Sequence, residues 1–344
     1  MASSNARLGL RPGEWVQVRS KEEILATLDR DGTSGALPYM PEMLQYCGRR
    51  LRVYKRADKT CDTLTNTGGR RLHDTVHLDG IRCDGSAHGG CHASCLMFWR
   101  ESWLKRADAP EAAQPVGQPA AAPGCTVAEL EAAAVVDRER QIYRCQITQL
   151  KAFTEPLPWW NIGQYWSDFR KNKVPIKSLL AAFCFSAFRK LTELGVGYRF
   201  LVAVYESFQR IRGGTPFPLR SGTLERTPTQ ELGLQPGEWV RIKTYPEILA
   251  TLDRNNRNRG MSFDTEMVGH CGKTYRVTKR VQRILDERTG KMVEFQNPCI
   301  ILDGVFCCAQ KSKYRLFCPR GIPSYWREIW LERASPDGAE ADSS

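Results

Sequence analysis

The 344-residue chain is short of most features that assign a protein to a class on sight. It has no apolar run near the roughly 20 residues that span a bilayer. Its most apolar stretch, LLAAFCFSAF (Leu179–Phe188), reads as a buried helix. The first residues, MASSNARLGLRPGEW, contain no apolar core of a secretory signal, so a cytoplasmic protein is expected. A Walker loop, G-x-S-x-G, H-E-x-x-H, G-x-G-x-x-G and the paired C-x-x-C of common zinc modules are all missing. The net charge is +12, yet no dense Lys/Arg block carries it. A spread surplus serves solubility or an anionic partner. Nucleic-acid binding, suggested by Tyr54–Cys61 and Arg276–Arg283, is a lesser reading, because basic residues on a solvated strand edge are commoner.

Thirteen cysteines are present. In a cytoplasmic chain they favour metal binding or thiol chemistry over a disulfide framework, and an odd count fits no complete pairing. The chain also contains itself twice. LGLRPGEWVQVRSKEEILATLDR from Leu8 matches LGLQPGEWVRIKTYPEILATLDR from Leu232 at sixteen of 23 positions. YCGRRLRVYKR (Tyr46–Arg56) answers HCGKTYRVTKR (His270–Arg280), LDGIRC answers LDGVFC, and WRESWLKRA answers WREIWLERA. The period is too long for a solenoid, so two homologous domains are expected, 8–107 and 232–334. Around them lie a tail at 1–7, a Pro/Ala linker at 108–125, a helical segment at 126–212, a second linker at 213–231 and a disordered acidic tail at 335–344.

Within a copy, GEWVQV, RLRVYKR and TVHLDGIRC read as strands, KEEILATLD as a short helix, and MPEMLQYCG as a helical turn closed by Gly48. FWRESWLKRA fits helix or strand. The middle segment opens with a capping box, Thr126 and Glu129, before one long helix to Phe153, and two more helices are expected near Ile176–Leu194 and Tyr198–Arg212. Trp159, Trp160 and Trp166 read as a packing cluster. The fold class is therefore α+β, with two small half-open, SH3-like β-barrels flanking a helical middle.

The duplication filters the cysteines. Cys47 matches Cys271, Cys83 matches Cys307, and Cys91 matches Cys318, each of the last two lying eight residues before its Trp-Arg-Glu motif. Structural zinc needs four N or S donors. His77 lies six residues before Cys83 and Cys299 eight before Cys307, even offsets that share a strand face. Two sites result: Cys47, His77, Cys83 and Cys91, and Cys271, Cys299, Cys307 and Cys318. Two zinc ions per chain are expected, with an iron–sulfur cluster as runner-up. Rivals for the fourth place are Cys61, His88 and Cys95 in the first copy, and His270 and Cys308 in the second. Buried free thiols, or thiols cycling with disulfides, remain the competing readings. The first copy has donors to spare, Cys61, His73, His88, His92 and Cys95, which could line an open metal position or set a thiol beside histidine.

The string PGEWV…EILATLD…CG…YKRADKTCDT…HLDG-IRCDGSAHGGC resembles a group of uncharacterised, internally duplicated, cysteine-rich bacterial proteins associated with natural-product biosynthetic clusters. The resemblance spans both repeats, implies a recurring bacterial module and carries over no catalytic residue. The expected function is a metal-stabilised binding or scaffold protein with a protein or anionic partner, an accessory factor in such a pathway. The rival is a metal- or thiol-dependent enzyme or redox accessory using the Cys83–Cys95 loop.

Overall fold

A computed structural model describes residues 7–65, 68–107, 124–195 and 197–336. Most of the Pro/Ala linker, most of the N-terminal tail and residues 337–344 of the acidic tail lie outside them. The architecture is mixed α+β with several small antiparallel sheets, none closed into a barrel. No helix among the described residues is long and apolar enough to cross a membrane.

The chain divides into two compact units. The first comprises residues up to Pro175 together with Arg283–Glu294 and Phe317–Ile322. The second comprises Ile176–Gln282, Phe295–Leu316 and Pro323 onward.

The first copy builds a five-stranded sheet in the order Trp99–Arg100, Thr75–Leu78, Arg50–Arg56, Trp15–Val18, Leu104–Arg106. The second repeats that order with Pro323–Arg327, Met292–Phe306, Thr274–Leu285, Trp239–Ile242, Leu331–Arg333. The register agrees too: Val16 faces Leu51 and Arg106, and Val240 faces Tyr275 and Arg333. Alternate residues of the strand Trp15–Val18, Val16 and Val18, are buried, as a half-covered strand requires. The ambiguous Trp-Arg-Glu segment proves to be neither helix nor continuous strand. A single 3₁₀ turn, Glu101–Trp103, separates two short strands, and Glu328–Trp330 does the same.

That turn explains why the motif is repeated. Trp99 and Trp103 are fully buried, with Tyr39 meeting them edge-on at 6.2 and 5.0 Å. Glu101 accepts hydrogen bonds from the backbone N–H groups of Gly9 and Leu10 at 2.8 and 3.0 Å, and pairs with Arg56 at 2.7 Å. In the second unit Glu328 accepts from Gly233 and Leu234 at 3.1 and 3.2 Å and pairs with Arg280. Each Leu-Gly-Leu start is thus fastened to a buried glutamate that pairs with an arginine.

The middle segment departs from the expected long helix. The capping box forms, but the helix runs only Val127–Ala133. β-Branched Val135 and Val136 follow, Asp137 accepts the Arg140 N–H in a turn, and Gln141 takes φ 53°, so a hairpin Val135–Asp137/Ile142–Tyr143 forms instead. Glu155–Leu157 then adds to the strand Gly69–Arg71. The helices Ile176–Glu193 and Tyr198–Arg212 fall where expected.

His77 is fully buried against the Phe98 ring at 4.8 Å. Its Nδ1 lies 2.9 Å from the Met97 carbonyl, which can only accept, so Nδ1 carries the proton. Burial pushes its pKa down to about 4. A depressed folded value means that the neutral ring's contribution is intact above the unfolded value of about 6.5 and is lost as pH falls toward 4, by up to about 3 kcal/mol. Urea titrations at pH 7 and 4.5 should show this loss in the parent and a smaller one in His77→Phe. Equal losses would refute the assignment.

Candidate metal centre

The loop Cys83–Cys95 is closed at its base by a bridge between Arg82 and Leu96 and by the Cys83 N–H donating to the Cys95 carbonyl at 2.8 Å. Within it, the N–H groups of His88 and Gly90 donate to the Gly85 carbonyl. Gly85 has φ +81°, and a Cβ there would sit 2.2 Å from the Cys91 carbonyl oxygen. Only glycine allows this fold-back, which turns His88 inward.

Three donors meet there. The Cys83 Sγ lies 3.4 Å from Glu42 Oε1 and 3.5 Å from His88 Nε2, and His88 Nδ1 lies 3.4 Å from the same Glu42 oxygen. Ligand atoms of all three residues fall within 4.8 Å of one another, the one such group among the described residues. Glu42 comes from the 3₁₀ turn Pro41–Tyr46. Glu42 and His88 are buried, yet Glu42 Oε2 and His88 Nδ1 have no hydrogen-bond partner among the described residues. Burial pushes Glu42 up to about 7, His88 down to about 4 and the Cys83 thiol well above its ordinary value. Burial thus disfavours the charged form of each member, and a divalent cation would favour carboxylate and thiolate instead.

The group borders a cavity of about 40 Å³, lined also by Cys91, Cys95, Cys145 and Glu287. That exceeds the roughly 10–15 Å³ that one water needs. Cys145 is carried in by its neighbour Gln146. The Gln146 amide accepts from the Phe98 N–H at 2.8 Å and donates to the carbonyls of Phe98 and Pro38 at 2.9 and 3.0 Å, tying the middle segment to the first copy's sheet. Burial pushes Cys95 up to about 11 and Cys145 up to about 12. The Leu285 N–H donates to Cys91 Sγ at 3.4 Å.

Of the expected first set, only Cys83 is in the three-donor group, and Cys91 lines its cavity. Cys47 lies instead at 3.7 Å from the Tyr39 hydroxyl, and His77 is bonded to Met97. The rival His88 is a member and Cys95 a wall, whereas the His92 N–H donates to the Arg283 carbonyl. The second set does not assemble around one point either. Cys271 faces the Met267 carbonyl, Cys299 sits 3.3 Å from the Met261 sulfur, and Cys307 joins no group of three donors among the described residues. Cys318 belongs to the first unit, where it accepts the Cys61 N–H at 3.1 Å. Cys308 donates to Glu266 Oε2 at 2.8 Å, and His270 bonds Tyr275.

Sequence reasoning missed Glu42, Cys145 and Glu287. The duplication held a signal for the first: Glu42 and Glu266 occupy the same place, five residues before the matched Cys47 and Cys271, and each reaches a cysteine. Nothing comparable marks Cys145.

Comparison with protein-family models finds no match to this chain, and comparison with curated proteins finds none either.

Proposed function

We propose that the chain is a metal-stabilised binding or scaffold protein whose first repeat holds one zinc ion at Glu42, Cys83 and His88, with a thiol of the neighbouring cavity completing the set. The observation that carries this reading is the convergence of three donors, two of them buried with orphaned polar atoms. One nitrogen, one sulfur and one carboxylate oxygen make a donor set that suits zinc. Such an ion would fasten the loop, the 3₁₀ turn and the cavity wall. We read each repeat as a half-open, SH3-like barrel, supported by the matched strand orders, and the chain as an accessory factor with a protein or anionic partner. Support for a partner comes from the helices of the second unit, which expose Leu180, Phe183, Leu191, Phe200 and Phe208.

A second reading, a metal- or thiol-dependent enzyme, is favoured by one feature: three protein donors beside a cavity resemble an open catalytic position more than a closed structural one.

Elemental mass spectrometry on protein purified without a metal-binding tag tests the site. About one zinc per chain is expected for a three-donor site with one completing thiol. Protein with neither zinc nor iron, and with cavity thiols that react freely, would remove the proposal. Iron with acid-labile sulfide would replace zinc by a cluster.

A further inference from the structure

A large cavity of the first unit lies apart from the cysteine loop. It is a cleft of about 590 Å³, within the range of roughly 300–1,000 Å³ typical of small-ligand sites. Its walls come from the N-terminal stretch around Arg11, the segment from Arg56 to Lys59, the turn that follows the strand Gly69–Arg71, and the helix Ile162–Lys171.

The charges in this cleft do not balance. Six Lys/Arg side chains line it against three aspartates. Every aspartate is already engaged: Asp74 with Arg7, Asp168 with Lys59 at 2.5 Å, and Asp58 with both Arg56 at 2.8 Å and Lys171 at 3.1 Å. Arg11 and Arg71 are left with no side-chain partner among the described residues, and the His73 imidazole beside them has none. Asn161 and Ser167, on the helix wall, also make no side-chain hydrogen bond among the described residues. Two spare guanidinium forks recognise tetrahedral or planar oxyanions by paired N–H donors. The spare amide and hydroxyl suit a ligand body that carries hydroxyl groups.

We propose that this cleft binds a small phosphomonoester with a hydroxylated body, its phosphate held by Arg11 and Arg71 and its hydroxyls met by Asn161 and Ser167. The proposal deepens the binding-protein reading by giving it an anionic ligand. It rests on that reading but not on the metal.

Calorimetric titration of the full-length protein, as purified, with ribose 5-phosphate, inorganic pyrophosphate, ribose and citrate tests it. Both phosphate compounds should bind with Kd of about millimolar or tighter, and ribose should not. The double variant R11A/R71A should weaken ribose 5-phosphate by at least about tenfold, and Arg71→Lys should fall between, because it keeps charge and loses the fork. Arg138→Ala, an exposed arginine outside the cleft, should change nothing. Thermal melting of each variant shows whether it is folded; if R11A/R71A is not, Arg11→Ala alone, which changes an exposed side chain, carries the test. Failure of both phosphate compounds to bind would overturn the proposal. So would binding that R11A/R71A, or Arg11→Ala alone, leaves intact, or citrate binding more tightly. Zinc measured on the same sample separates the two readings, since a zinc-replete protein that binds no phosphate refutes the cleft alone.

Discussion

Stripping metal from the protein with a strong chelator will lower the stability of the first unit by about 4 kcal/mol, the value for an ion present at roughly a thousand times its dissociation constant. On the proposed site, zinc would supply this energy because Glu42, Cys83 and His88 would be ligands only in the fold. Their Cα atoms come from a 3₁₀ turn and a glycine-hinged loop some forty residues apart. Cys83→Ser and His88→Ala should lose the metal and show the same loss of stability without any chelator. Cys47→Ser and Cys271→Ser discriminate between two ligand sets. Both should keep full metal content, because neither cysteine reaches the three-donor group. If Cys47→Ser loses the metal, the ligands are the duplicated cysteines and the three-donor group is wrong. Urea unfolding followed by tryptophan fluorescence, with metal analysis of each variant, measures both quantities.

Replacing Glu101 with alanine should cost about 3–5 kcal/mol, the usual price of leaving one partner of a buried ion pair alone. Arg56 would remain buried with Asp58 as its one carboxylate partner, and the N–H groups of Gly9 and Leu10 would lose their acceptor. Glu328→Ala should destabilise the second unit by less, since the carboxylate accepts from Gly233 and Leu234 in the same way but faces a half-buried Arg280. The double change Arg56→Met with Glu101→Leu should cost far less than Glu101→Ala, because no charge is then stranded. A Glu101→Ala loss below about 1 kcal/mol, read from urea midpoints at constant slope, would mean that water or a shifted side chain replaces the glutamate.

Much of the fold was legible because the chain repeats itself. Identical Trp-Val and Trp-Arg-Glu segments give identical strand orders, and alternation in Trp15–Val18 gives the buried face. Thr126 and Glu129 marked a helix start correctly, but nothing local announced its end at Ala133. The Ala-rich run favours helix, and the Gln141 turn that reverses the chain uses a positive φ that no glycine flags. The site was half legible. Cys83, Cys91, Cys95 and His88 stood in one short string, and glycines at 85, 89 and 90 announced a tight loop. The pairing of donors was not legible. Matched cysteines suggested symmetric sites, whereas Gly85 turns His88 inward in a loop that the second copy lacks, and Phe317–Ile322 takes Cys318 into the first unit. Glu42 and Cys145 arrive through hydrogen-bonded packing between segments far apart in sequence, which periodicity and spacing do not register.

The first unit is assembled from three stretches of chain, the last of which ends at Ile322. On a ribosome adding about 5–20 residues per second, the more than two hundred residues between the Cys83–Cys95 loop and Phe317 take roughly 10–45 seconds to emerge. For that interval the loop is made but its surroundings are not. Leu285 and Glu287, which wall the cysteine cavity, are made only near its end, and Arg320, which lies within reach of Cys61, comes after it. The nascent protein therefore carries accessible thiols for most of its own synthesis, and oxidative damage or the wrong metal has its best opportunity before the chain is complete.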